Sequence, residues 1–311
     1  MILAKELPMS QDSLSPSRPL RIAVAGATGR VGSALMARLA AEPVKLRALT
    51  RTPDGQRFPS QVEVAAVDFD SPATLAAALQ GIDRVFISHG TSPRQVANEI
   101  VLIDAAVGAG VRHIVKLSTF GAPSRLHPMD WHMQIEAHLA TKDVGYTVLR
   151  PSAFVEILAR AGAAVARDDW GGAAGDGRVN FIDTRDVADA AHAALLADVN
   201  ANSQRAWHLT AARAWRMPEI AGELARLLGR PVAYQHRSPE QQRAVLLAAG
   251  ADDFVAGLLL GLDQVFRDSA LAETTLTVEA VTGHAPRALP QWLEENLGLF
   301  RRQARVPGAA T

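Results

Sequence analysis

Arg21-Ile-Ala-Val-Ala-Gly-Ala-Thr-Gly-Arg-Val-Gly32 decides the reading of this chain. An apolar run, Ile22 to Ala25, ends in Gly26-x-x-Gly29-x-x-Gly32, and apolar residues then recur at helical spacing (Val31, Leu35, Met36, Leu39). A strand that turns through glycines into a helix brings bare backbone N–H groups, at the positive end of the helix dipole, up to an anion such as a pyrophosphate. Glycine is needed where a side chain would block that approach and where the turn requires positive φ. The stretch predicts a dinucleotide site with Gly26, Thr28, Gly29, Arg30, Val31 and Gly32 around the phosphates.

Outward from this turn, strand and helix signals alternate. Val44–Leu49 reads as a second strand and Val62–Val67 as a third. Ser71-Pro72 opens a helix with a capping serine and proline in the first turn. Arg84–Ser88 follows as a strand, and Ser92-Pro93 repeats the start signal before a helix whose face is read as Val96, Ile100, Ile103 and Val107. Strands at Val111–Ser118 and Tyr146–Leu149 bracket a helix from Asp130 to Lys142. Arg178–Ile182 is read as a seventh strand, with a helix from Thr184. This alternation predicts an α/β protein built on a Rossmann-type, doubly wound parallel sheet, with its ligand at the carboxyl ends of the strands.

Beyond residue 198 helical patterns dominate (Ile220, Leu224, Leu227, Leu228; Trp292 to Phe300), with short strand candidates at Trp207–Leu209 and Val232–Tyr234. The division expected is a tail over residues 1–19, a dinucleotide-binding domain over 20–155 plus about 178–198, and a smaller, mainly helical substrate domain over 156–177 plus 199–311. Trp170–Gly177 is expected to form a loop at the cleft mouth.

The 32 basic and 32 acidic residues of the 311-residue chain cancel, so no basic excess points to nucleic acid or an anionic membrane surface. The absence of cysteine removes thiol catalysis, disulfides and thiolate metal sites. The N-terminus has no secretory pattern, and Asp252 and Asp253 interrupt the apolar stretch Ala244–Leu262, which reads as core helix rather than membrane span. A cytoplasmic location is expected, with no metal: the nine histidines are scattered and form no HExxH-like cluster.

NAD sites of this type place an acid at the end of the second strand, against the ribose hydroxyls. Here that strand ends Leu49-Thr50-Arg51-Thr52. A guanidinium at Arg51 suits a 2′-phosphate, with Arg30 as a second charge; the alternative is a solvated side chain. NADP(H) is therefore the expected cofactor. Asp68 and Phe69 end the third strand, where Asp68 either accepts from the adenine amino group or caps a turn. Ser88, His89 and Gly90 follow the fourth strand toward the ribose–nicotinamide half, with Gly90 as a plain turn residue the alternative.

These residues, with Lys116-Leu-Ser-Thr119, His132-Met-Gln-Ile-Glu136, Tyr146-Thr-Val-Leu-Arg-Pro151, Phe181-Ile-Asp-Thr-Arg-Asp-Val-Ala188 and Val281-Thr-Gly-His-Ala-Pro286, give a chain that resembles the short-chain dehydrogenase/reductase superfamily over about residues 20–300. More closely it resembles the atypical NmrA-like branch, which includes NADPH-dependent quinone reductases and NADP-sensing regulators. The superfamily's catalytic Tyr-x-x-x-Lys, often followed by Glu, would fall on Pro128, His132 and Glu136. Proline has no proton to give, so ordinary alcohol–ketone interconversion is not expected.

The resemblance also implies Ser118 and Thr119 at the active site and Pro151 to Phe154 walling the nicotinamide. Ile157 stands where relatives often carry Asn. Ser118 and Thr119 either bond the acceptor or bond backbone. His132 and Glu136, at i and i+4, either form a proton relay in which Glu raises the His pKa or a structural pair.

Two functions are compatible with a missing tyrosine. One is an NADPH-dependent oxidoreductase passing hydride to a quinone or similar conjugated acceptor (enone, imine, azo), with His132 and Ser118 as catalytic residues. The other is a non-catalytic NADP(H) sensor acting through a regulatory protein partner. The sequence leaves homo-oligomerisation open.

Overall fold

Alternate residues of the first strand face opposite ways and both faces are buried, which is the condition for a sheet covered by helices on each side. In the computed structural model, which describes residues 18–54, 58–120, 129–200 and 202–302, that strand is β1 (Arg21–Ala25) at the centre of a seven-stranded sheet. Its neighbours are β2 (Lys45–Thr50), β3 (Val62–Ala66), β4 (Arg84–Ile87), β5 (His113–Leu117), β6 (Gly145–Pro151) and β10 (Gln204–Leu209), in the order β3-β2-β1-β4-β5-β6-β10. Every pair is parallel. Strand order reverses between β1 and β4, which opens a crevice at their carboxyl ends.

One face of the sheet (Ile22, Val24, Phe86, Val115) packs against α1 (Arg30–Leu39) and α6 (Thr184–Leu196). The other (Ala23, Ala25, Val85, Ile114) packs against α2 (Pro72–Leu79), α3 (Gln95–Gly108) and α4 (Met129–Ala140). The expected stripe of α1 is buried through Val31, Leu35, Met36 and Leu39. Leu35 is fully buried, so Leu35→Ala would cost about 2–5 kcal/mol.

The remaining elements lie outside this sheet. They are β7 (Ala153–Phe154), a 3-10 turn (Val155–Ala161), α5 (Gly162–Ala166), β8 (Gly171–Gly172), β9 (Val179–Ile182), β11 (Ala214–Trp215), α7 (Met217–Leu228), β12 (Gln235–His236), α8 (Pro239–Ala248), α9 (Asp253–Arg267), α10 (Thr277–Thr282) and α11 (Leu289–Glu295). Among them the stretch from β7 through the 3-10 turn and α9 line the crevice. Their core joins Val155, Leu158, Phe181, Leu224, Phe266 and Trp292.

Several expectations need correction. The strand expected at Arg178–Ile182 is β9, but it lies outside the main sheet, between β7 and β11. The seventh main-sheet strand is β10, whose Gln204–Leu209 pairs with Tyr146–Pro151, so the sheet continues past residue 198. Helix α6 supplies the crossover that returns the chain parallel to β6.

Ser92-Pro93 does not start its helix; α3 begins at Gln95 after a turn closed by Gln95 N–H to Ser92 C=O. Its buried face is also rotated, carrying Gln95, Asn98 and Glu99 with Leu102, Ile103 and Ala106, because its first turns face polar side chains described below. The Ser71 side chain makes no cap bond to α2. The strand near Val232–Tyr234 is Gln235–His236.

The stretch Ala244–Leu262 is two helices. Gly250 at positive φ ends the first, and the Asp252 carboxylate caps the second by accepting from Val255 N–H. Helix α8 buries no residue, so it is not a core helix. Trp170–Gly177 is not a cleft-mouth loop: it pairs through β8 with β12, and a Cβ on Gly177 would lie 1.9 Å from the Phe266 carbonyl of α9. Its glycines serve close packing. Most of the tail expected over residues 1–19 lies outside the described residues, as does Pro128.

Candidate functional site

The turn between β1 and α1 is set by sterics. Gly26 has φ +80°, and a Cβ there would lie 2.5 Å from the Ser88 carbonyl of the neighbouring strand end. A Cβ on Gly32 would lie 2.0 Å from the Gly26 carbonyl, whereas one on Gly29 would sit at 3.2 Å. Gly29 N–H closes the turn onto Gly26 C=O at 2.9 Å. No side chain caps α1, so the N–H groups of Arg30, Val31 and Gly32 open into the crevice. Thr28 and Arg30 are exposed beside them. This cradle fits a pyrophosphate: it is narrow because both flanking positions exclude a side chain, and its donors are otherwise unmatched.

Arg51 follows β2 and is exposed; neither it nor Arg30 has a carboxylate partner among the described residues. Asp68 uses Oδ1 to accept the Asp70 N–H at 2.9 Å, the turn-capping role, which leaves Oδ2 outward. Phe69 stacks edge-on against His89 at 5.5 Å. His89 Nδ1 lies 2.6 Å from Gly90 C=O and Nε2 lies 3.0 Å from the Asn98 amide. Both ring nitrogens are thereby matched in the neutral state, with the proton on Nδ1. Ser88 N–H donates to Ala25 C=O, and a Cβ on Gly90 would meet nothing, so sterics do not require glycine there.

Beyond the turn lies a cavity of about 310 Å³. It brings together Arg30, Ser118, Thr119, His132, Pro151, Phe154 and Ile157, which the sequence singled out, with residues it did not: Thr91, Met129, Arg160 and the α9 leucines 258, 259 and 262. Gly26, Gly32, Arg51, Asp68 and Phe69 lie outside its lining, along the remainder of the crevice.

The expected His132–Glu136 pair does not form. Glu136 accepts from Ser118 Oγ and from Arg150 Nε at 3.2 Å. Ser118 has thus committed its proton to Glu136 and can offer the cavity only lone pairs. His132 turns the other way, with Nδ1 at 3.2 Å from Lys116 Nζ and Nε2 at 3.4 Å from the Gln95 amide nitrogen. Burial, with the Lys116 charge behind it, pushes the imidazole well below its ordinary pKa, the opposite of the expected rise. Both neighbours offer protons, and a neutral ring can accept at one nitrogen. The shorter contact, from an ammonium, assigns acceptance to Nδ1 and the ring's proton to Nε2, so that the 3.4 Å approach of the Gln95 amide nitrogen is a contact between donors and not a hydrogen bond.

Lys116 is itself fully buried and ion-paired with Glu99 at 2.8 Å, with Glu99 1% exposed; Glu99 also accepts from Gln95 at 3.0 Å. These are the polar groups that rotate the face of α3. Lys116 stood in the quoted Lys116–Thr119 motif, and the sequence signal for its partners was polar side chains at i and i+4 in the first turns of an otherwise apolar helix. The α9 wall carried no chemical signal.

Asp186, Asp189 and His284 also converge, on the far side of α6. Their carboxylates are engaged by guanidiniums: Arg287 bonds Asp186 and lies 2.8 Å from Asp189, which also pairs with Arg38. No helix among the described residues is long and apolar enough to cross a membrane.

Residues 26–198 match the model of a family described as NAD(P)H-binding. The NAD(P)H azoreductase of Xenophilus azovorans is 30% identical over 284 residues, covering 90% of this chain and 99% of that protein. The (4-alkanoyl-5-oxo-2,5-dihydrofuran-3-yl)methyl phosphate reductase of Streptomyces griseus is 32% identical over 289 residues, covering 90% and 99%. The crystal structure of the NADPH-dependent quinone oxidoreductase QOR2 of Escherichia coli, complexed with NADPH, superposes with a TM-score of 0.81 at 26% identity, covering 89% of this chain and 99% of that one.

Proposed function

The chain belongs to the NAD(P)H-binding, NmrA-like family, and from that premise we propose that it is an NADPH-dependent reductase of conjugated acceptors such as quinones, enones and azo compounds. The observation that carries this reading is His132: it lines an apolar cavity next to Ser118 and Phe154 and is backed by a buried ammonium. The relatives' names fit it, since an azo bond, a quinone and an unsaturated lactone are all acceptors that take hydride without prior protonation.

Gly26 to Gly32 hold the pyrophosphate with backbone donors, Arg51 and Arg30 face the 2′-phosphate and pyrophosphate charges, Asp68 Oδ2 faces the adenine, and Phe69, Ser88, His89 and Gly90 line the path between. Thr119, Pro151 and Phe154 wall the nicotinamide. Ser118, locked as a donor to Glu136, accepts from a carboxamide or ribose hydroxyl rather than protonating substrate. Bound NADPH supplies the hydride.

Hydride addition leaves a quinone as a phenolate-like monoanion with basicity near that of tyrosinate, pKa about 10. A neutral imidazole is too weak an acid to protonate it alone. With Lys116 behind it the transfer balances: the Nε2 proton goes to the product oxygen, a Lys116 Nζ proton moves to Nδ1, and the amine is left neutral beside Glu99. The amine regains its proton from solvent before the next turnover.

The test is NADPH oxidation against a panel of quinones, enones and azo dyes, with protein concentration varied. Turnover proportional to protein is expected. Tight NADP⁺ binding with no turnover on any acceptor would overturn the enzyme reading in favour of an NADP(H) sensor.

A further inference from the structure

Many of the arginines are paired with carboxylates, among them Arg94 with Asp70, Arg230 with Asp168 at 2.6 Å and Arg237 with Asp169 at 2.7 Å, whereas others, such as Arg51 and Arg167, have no such partner among the described residues. The cavity lining holds two guanidiniums, Arg30 and Arg160, and no carboxylate. Neither has an acidic partner among the described residues. Arg30 is the first residue of α1, within the phosphate cradle, and is accounted for by the cofactor. Arg160 is not: it sits in the 3-10 turn after β7, exposed, on the stretch that also brings Phe154 and Ile157 to the cavity. Facing these across the cavity lining are Leu258, Leu259 and Leu262 of α9, all half-buried.

We propose that Arg160 is an anion-recognition site, and that the acceptor is a flat conjugated molecule carrying a fixed negative group (sulfonate, carboxylate or phosphate ester) on its ring system. The inference rests on the reductase reading and specifies its substrate class. The apolar walls receive the rings, which gain little from charge, and the unpaired guanidinium receives the anion in a fork geometry that a solvated ammonium would not supply. A cationic dye would meet the like charge of Arg160 and no carboxylate in the lining.

The test compares 1,4-naphthoquinone with its 2-sulfonate, in wild-type protein and in Arg160→Gln and Arg160→Lys. Wild-type protein should show a KM lower by about 10-fold for the sulfonate, the size of one good charge-assisted contact. Arg160→Gln should abolish that ratio, Arg160→Lys should keep part of it, and KM for NADPH should not move. Comparing ratios across variants removes the intrinsic reactivity difference between the two quinones. In parallel, calorimetry reads naphthalene-2-sulfonate against naphthalene-2-sulfonamide on the NADP⁺-loaded protein, where no turnover occurs.

Preferential sulfonate binding that is lost in Arg160→Gln upholds the site even if no quinone is reduced, in which case the reductase reading fails alone. Equal binding of sulfonate and sulfonamide, or a preference that survives in Arg160→Gln, overturns the assignment.

Discussion

Alanine at Gly32 probes the phosphate cradle through one methyl group. The added Cβ would lie 2.0 Å from the Gly26 carbonyl oxygen and 2.8 Å from its carbon, both backbone atoms that cannot rotate away. Restoring a normal contact requires the first turn of α1 to move outward by more than an ångström. That displaces the N–H groups of Arg30 to Gly32 from the anion they are proposed to hold. A hydrogen bond to a charged group contributes about 1.5–3 kcal/mol. Losing two such bonds weakens NADPH by roughly 3–6 kcal/mol, or about 10²- to 10⁴-fold in Kd. Forcing the methyl into the turn adds about 1–3 kcal/mol of destabilisation.

Two further substitutions make the prediction quantitative. Gly29→Ala puts its Cβ 3.2 Å from the same oxygen, a gap that a shift of a few tenths of an ångström can relieve, so its loss should be much smaller. Gly222→Ala, within α7 with nothing near the added carbon, should leave binding unchanged and raise stability by about 0.5–1 kcal/mol. Tryptophan quenching by NADPH and urea melts read both quantities. The steric reasoning is refuted if Gly32→Ala binds NADPH within three-fold of wild type, or if Gly29→Ala loses more than Gly32→Ala.

Arg51→Ala should raise Kd for NADPH by about 5- to 10-fold, the range of an exposed phosphate contact, while NADH stays within two-fold; equal losses would remove Arg51 from the 2′-phosphate. His132→Gln should lower kcat about 100-fold with KM for NADPH unchanged, and an unaltered kcat would make the ring structural. Lys116→Met is best read in a Glu99→Gln background, which avoids stranding a buried carboxylate; kcat should fall with that of His132→Gln, and the two effects should not add because they remove one relay. His113 is fully buried on β5 against Thr147, and burial, with Arg205 and Arg84 nearby, pushes its pKa to about 4. The unfolded chain takes up this proton below about 6.5 and the folded chain does not until about 4, so stability is lost as pH falls through that window, on the order of 2–3 kcal/mol. His113→Gln should flatten urea midpoints between those pH values; an unchanged acid slope would place the titration elsewhere.

The sequence made the central layer legible because each β–turn–α unit repeats a local signal: apolar run, glycine or Ser-Pro, helical stripe. Register and neighbours are non-local, and that is where expectation and structure part. Nothing in Val179–Ile182 distinguishes a strand of the main sheet from one beside β7, and nothing in Gln204–Leu209 announces its pairing with β6. The glycine turn was more legible, since the constraint on Gly32 is steric and set by Gly26 within seven positions, although that on Gly26 comes from the Ser88 carbonyl of the neighbouring strand end. The proton path was not legible. His132 and Glu136 have ideal helical spacing for a pair, yet Ser118, just after β5, and Arg150 of β6 claim Glu136, while Lys116 claims His132. Helical spacing says which residues can meet, and tertiary partners decide which do.

The cost of that arrangement bears on what the chain does. Lys116 and Glu99 are 0% and 1% exposed, and taking two charges out of water costs several kcal/mol each before their attraction offsets it. A hydrophobic pair of the same volume would hold α3 to β5 at least as well. On the proposed assignment NADP(H) is held by the cradle, Arg51 and the crevice walls, and neither Lys116 nor Glu99 is among them. Besides Glu99 the ammonium contacts the Leu117 carbonyl and His132, and of these His132 lines the cavity and carries a transferable proton. A chain that only sensed its cofactor would gain nothing from this pair, whereas one that must protonate a phenolate-like product gains a proton donor behind the cavity. Retaining NADPH affinity while abolishing turnover in the Lys116→Met, Glu99→Gln variant is therefore the outcome that separates catalysis from sensing; loss of both together would make the pair a structural element of the fold.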